Sequence, residues 1–158
     1  MTKRFHGEIL REFGEMIGVP ALAFDDAGTC GFIVDQTREL VILCTRDQLV
    51  LTLSVPLPDA LMELPAKQVL SLFPRMTLET LRGESPVVVW HPQASHPIAI
   101  ATLPQHLASA AQLAATTVEL LDWCDQWCKS IDHAQIGLGD DIRRVRQSHD
   151  PARAPALC

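Results

Sequence analysis

The chain contains no tyrosine, and five phenylalanines and three tryptophans are its only aromatic side chains. So few rings spread over 158 residues do not make a base-stacking platform. Basic residues are in deficit too: 13 Lys and Arg stand against 19 Asp and Glu, a net charge of −6 at pH 7. That balance repels a phosphate backbone, so nucleic acid is not an expected partner. No run of about 18 apolar residues occurs, so no membrane insertion is expected. The opening MTKRFHGEIL lacks the apolar stretch of a secretory signal, which leads to an expected cytoplasmic location. The five cysteines are odd in number and irregular in spacing, and are read as reduced thiols rather than a disulfide framework.

What is present is an apolar share of 47% with 20% charged residues, the balance of a soluble globular protein. A chain of this mass buries roughly 70% of its extended surface on folding, enough for one sizeable core. Charge is unevenly placed. Residues 1–132 carry 9 basic and 16 acidic side chains, whereas 133–158 carry 4 and 3.

Residues 3–17 have a helical period, with Phe5, Ile9, Phe13, Met16 and Ile17 on one arc and charged residues on the other. Gly18 and Pro20 then stop the helix. From there the period shortens. A short apolar run at 21–24 precedes the turn Asp25-Asp26-Ala27-Gly28. Strands are predicted at 29–35, 39–45 and 49–55, joined tightly and hence antiparallel. The stretch 40–44 is apolar on both faces and calls for cover on two sides. Four prolines at 56, 58, 65 and 74 break up 56–86, where Pro65 opens a short helix over 65–73. Two further strands follow at 87–91 and 98–102. Pro104 opens a long helix to about Ile131, with Leu107, Ala111, Ala114 and Val118 as its first stripe. The arc then rotates toward Leu120, Trp123, Cys124, Trp127 and Cys128. The composition of 137–158 predicts a mobile tail, giving a domain over 1–136. The order helix, strands, short helix, two strands, long helix implies an α+β fold, one antiparallel sheet with helices packed on it.

Motifs for catalysis are missing. There is no nucleophile elbow, phosphate-binding loop, dinucleotide fingerprint or H-E-x-x-H. Cys124 and Cys128 sit one helical turn apart, but a zinc site needs about four ligands and no second pair has the spacing. Small thiols on an apolar arc are ordinary core residues. His91 and His96 flank a loop and read as polar loop residues. The Asp25–Gly28 turn lacks the ligand spacing of a calcium loop and fits hairpin chemistry. Asp59, Glu63 and Glu79 are acidic but nothing makes them converge. No cofactor is expected. A thiol- or metal-dependent enzyme using Cys124, Cys128, His91 or His96 is the rival reading from another class, and an adaptor that dimerises around a folded partner is a third. The apolar excess at 40–44, along the long helix and at 87–90 points instead to faces completed by a second subunit or a bound polypeptide.

The arrangement Ile9-Leu10-x-x-Phe13-Gly14-x-x-Ile17-Gly18-Val19-Pro20, then Phe24-Asp25-x-x-Gly28-x-Cys30-x-Phe32-x-Val34-Asp35, resembles the N-terminal signature of class I type III secretion chaperones. Leu103-Pro104, the long helix and Trp123 and Trp127 near its end resemble the family's C-terminal helix. The resemblance implies a small acidic homodimer that binds without catalysis, holding the N-terminal segment of an effector as extended chain and keeping it secretion-competent. It further implies effector contacts at Phe5, Phe13, Phe24, Phe32, Val41 and Leu43, and a dimer contact at Val69, Leu72, Phe73, Val87 and Val89. The secretion-system ATPase or another export factor is a further implied partner, and a broad-specificity member serving several effectors is open. Pro74 and the tail beyond about residue 136 depart from the family pattern.

Overall fold

The structure is a computed structural model that describes the backbone of residues 2–73 and 86–148, and side chains over 5–73 and 86–131. Expectations that fall on Pro74, Glu79 and 149–158 lie outside the described residues. Helix α1 (Thr2–Met16) leads into strands β1 (Thr29–Val34), β2 (Arg38–Cys44) and β3 (Gln48–Ser54). Short helices α2 (Asp59–Met62) and α3 (Ala66–Leu70) come next, then β4 (Val87–His91), β5 (His96–Pro104) and the long helix α4 (Ala110–Ser148). All neighbouring strands are antiparallel, in the order β1-β2-β3-β5-β4, so β1 and β4 are the sheet edges. This is the α+β sandwich expected from the element order.

Local chemistry accounts for the connections. Gly18 ends α1 at φ +78°, and the Val19 amide returns to the Gly14 carbonyl at 2.7 Å. Gly28 takes φ +81° in the turn before β1, where Asp25 Oδ1 accepts the Thr29 amide at 2.8 Å. Asp35 and Gln36 both have positive φ as the central residues of a turn between β1 and β2, closed by the Thr37 amide donating to the Val34 carbonyl at 3.2 Å. The run at 21–24 forms no strand.

Alternation in the meander holds closely. Leu49, Leu51 and Leu53 are wholly buried, with Leu40 and Ile42 opposite them. Helices α1 and α4 cover this inner face. Their buried residues are not quite those that periodicity picks out. In α1 the buried arc is His6, Ile9, Leu10 and Phe13, while Phe5, Met16 and Ile17 are exposed. The arc is rotated because His6, polar by type, occupies an interior position. In α4 the seam is Ala110, Leu113, Thr117, Leu120, Cys124, Trp127 and Ile131, so it does not rotate, and Leu107 and Val118 lie outside it. Thr117 fits the seam because its hydroxyl donates to the Leu113 carbonyl at 2.8 Å.

Pro104 does not open the long helix. It ends β5 opposite Gln48, and a single 3-10 turn (Gln105–Leu107) intervenes. Ser109 provides the start of α4 instead, its hydroxyl accepting the Gln112 amide at 3.1 Å. The helix also continues past Ile131 to Ser148, so residue 136 falls within a continuous helix.

Candidate functional site

Three surfaces stand out. The first is the outer face of the sheet. Residues out of phase with the core, Val41, Leu43, Val50, Val87, Ile98 and Ile100, are half-buried, and Val89 is exposed; none is buried as Leu40 and Ile42 are. Register brings them together, since Leu43 pairs with Val50, Val89 with Ile98 and Val87 with Ile100. The second side that 40–44 requires is therefore not supplied by the described residues of the chain itself.

The second surface is a groove of about 580 Å³ between α1 and the segment that follows it, walled by Gly7, Arg11, Leu22, Phe24, Asp25 and Cys44 among others. Arg11 is held by Glu15 at 2.6 Å on the exposed side of α1. The third is an aromatic slot. Phe73 stacks on Trp127 with ring centroids 4.0 Å apart and lies 6.3 Å from Trp123. A cavity of about 410 Å³ opens beside these rings, with Leu72, Gln126 and Ser130 on its walls.

The anticipated effector residues separate into two groups. Phe24 lines the groove, Phe32 lies 6.4 Å from Phe13, and Phe13 itself is buried beneath them. Phe5 is exposed at the start of α1. Val41 and Leu43 lie on the outer sheet face, away from that cluster. The anticipated dimer residues divide as well. Val69 and Phe73 are core residues of the same chain, because α3 turns them inward toward β4 and α4. Leu72 is exposed, and Val87 and Val89 share the outer face with Val41 and Leu43. One surface thus carries residues assigned to two different partners.

The candidate chemical groups have structural surroundings. Burial pushes the Cys124 thiol up and carries that of Cys128 up to about 12. Neither thiol is activated toward the thiolate that a nucleophile needs. The His91 and His96 rings stack across the β4–β5 turn at 6.0 Å, and both hydrogen-bond to Ala94. Among the described residues, no three His, Cys, Asp or Glu side chains gather as a metal site would require. No described helix is long and apolar enough to cross a membrane.

Two features escape sequence reading. Arg38, nearly buried, bridges Asp35 and Asp125. His6 lies against Cys44, with Nδ1 3.0 Å from Sγ. A nearly buried arginine opening the strand Arg38–Cys44 is the local signal for the first.

The Tir chaperone protein (CesT) family model matches residues 8–128, from α1 to about the middle of α4. The chain belongs to the Tir chaperone family. No curated protein sequence matches this chaperone. Among solved structures, a chain of the HopA1–SchA chaperone–effector complex superposes with a TM-score of 0.65 at 25% identity, covering 80% of this chain and 95% of that one. A chain of the ExsC–ExsE complex gives 0.65 at 19% identity over 79% and 92%. A chain of the complex between the Yersinia pestis type III secretion chaperone SycH and a stable fragment of YscM2 gives 0.56 at 14% over 77% and 98%. The last two likenesses establish shared fold. The chain is thus a chaperone by family, and its five-stranded sandwich superposes on those structures.

Proposed function

We propose that this chaperone binds effector proteins of a type III secretion system through their N-terminal segments, holds those segments extended, and delivers them to the export apparatus. The family match over 8–128 carries the reading; the unclosed apolar surfaces supply its physics. Apolar side chains of an extended client fill the groove at Phe24 and the exposed flank of α1, at about 25 cal/mol for each Å² of apolar area removed from water. The edge of β1 offers backbone hydrogen bonds to a client strand, which tolerates variation in client sequence. A segment held this way cannot join its own core, and ordering it lowers affinity, so release remains feasible.

The outer sheet face, bearing Val87 and Val89, takes a second copy in this reading, giving a cytoplasmic homodimer that works by binding rather than catalysis. Residues 1–136 form the binding unit, and 137–158 a tail available to the secretion ATPase or another export factor. Nucleic acid and membrane have no part in the scheme.

Co-expression of the full chain with effectors of the native host, followed by limited proteolysis, tests the reading. A protected segment near the effector N-terminus is expected. Protection of a whole folded effector domain, or none, would count against it.

A further inference from the structure

Cys44 closes β2 on the inner side of the sheet and is one of the residues that wall the 580 Å³ groove. Across from it, His6 is wholly buried in α1, with Nδ1 3.0 Å from Cys44 Sγ and Nε2 without a hydrogen-bond partner. Among the described cysteines only this one combines contact with an imidazole and a place on a cavity wall. Cys30 and Cys124 are buried, and Cys128 is a half-buried thiol pushed up to about 12.

We propose that Cys44 is a modification site: a thiol with His6 as its general base, which exchanges with low-molecular-weight disulfides such as oxidised glutathione entering the groove. Burial lowers the tendency of His6 to hold a proton, so the ring is neutral at neutral pH. In this proposal the ring carries its hydrogen on Nε2 and Nδ1 accepts from the thiol, which also has the Thr45 carbonyl 3.7 Å away as an acceptor. As the Cys44 sulfur attacks one sulfur of the disulfide, its proton passes to Nδ1. The S–S bond of the reagent breaks, and the departing thiolate takes the proton back from His6. One thiol and one disulfide become one mixed disulfide and one thiol; Cys44 is oxidised and the released sulfur reduced. A glutathionyl group attached there stands in the groove beside Phe24.

The test uses the full chain with Cys158→Ser, exposed to oxidised glutathione at neutral pH and mapped by mass spectrometry over time. Cys44 is expected to acquire the first adduct, faster than the thiols of the same chain unfolded in urea. His6→Gln is expected to slow that adduct about 100-fold with the circular dichroism unchanged. A first adduct on Cys30, Cys124 or Cys128 would overturn the proposal. So would a Cys44 rate no greater than in urea, or an unaltered rate in a folded His6→Gln chain. Where His6→Gln fails to fold, the comparison of native with urea-unfolded protein decides alone.

Discussion

Arg38 and Asp125 are separated by 87 positions in the chain, yet their side chains meet at 2.6 Å. Arg38 also reaches Asp35 in the turn before β2, so one guanidinium ties a hairpin near the sheet edge to the middle of α4. Asp35 and Asp125 keep 64% and 50% of their side-chain exposure, so water takes them back when the arginine is removed. Arg38→Met, which keeps the aliphatic stem, should therefore lower stability by about 1–2 kcal/mol, less than a fully buried pair would lose. Urea unfolding measures it. A loss below about 0.3 kcal/mol would class the contact with idle surface pairs.

Two glycines of α1 should respond with opposite sign to the same change. A Cβ on Gly14 would lie 2.5 Å from the Val19 carbonyl oxygen, a backbone atom fixed by the helix cap. Gly14→Ala should cost about 1–3 kcal/mol. A Cβ on Gly7 meets nothing within 4 Å, so Gly7→Ala should gain about 0.5–1 kcal/mol from backbone entropy. Thermal melts of the two variants suffice, and a shift of the same direction in both would contradict the placement of the cap.

His6 makes stability depend on acid. Its folded pKa lies below the ordinary 6.5 because burial disfavours the imidazolium. As pH falls through 6.5 the unfolded chain takes up a proton that the folded chain refuses, so stability is lost on the acid side and level above it. The slope from this group approaches about 1.4 kcal/mol per pH unit until the folded pKa is reached. Urea unfolding between pH 8 and 5 should show a difference between wild type and His6→Gln that shrinks as pH falls; a constant difference would remove His6 as the cause.

A charge on the outer face separates folding from self-association. Val89 is 36% exposed in the single chain, so Val89→Asp should change monomer stability by no more than about 0.5 kcal/mol. In a dimer joined through that face, the same carboxylate would be buried unpaired. Light scattering should therefore read twice the 17.4 kDa chain mass for wild type and once for the variant. A variant that keeps the doubled mass would move the contact to another face.

The sheet was legible in the sequence because its alternation is strict: Leu49, Leu51 and Leu53 against Val50, Thr52 and Ser54 leave one register that buries leucine. The turns were legible because Gly18 and Gly28 supply positive φ where the chain reverses. Helix faces were read less well, since periodicity counts residue types and the interior accepted two polar ones. His6 and Thr117 are buried, so arcs built only from apolar letters came out rotated. The start of α4 was misplaced because Pro104 satisfies a strand end as readily as a helix start, and the capping bond of Ser109 decides between them. Of the candidate surfaces, the apolar excess was visible, but which of Phe73 and Val89 faces outward depends on how α3 and β4 sit. Arg38 with Asp125 and His6 with Cys44 are pairings across tertiary distance, to which no local pattern points.

Of the two helices that cover the inner face, α1 precedes all five strands in the chain and α4 follows them. A nascent chain therefore emerges from the ribosome with all five strands synthesised before residue 110, and the second half of their lid still to be translated. During that interval the leucines of β3 have only α1 above them. Slow elongation or a premature stop near residue 110 should expose them, which makes truncated products prone to aggregation and ties the yield of this protein in the cell to the pace at which α4 is made.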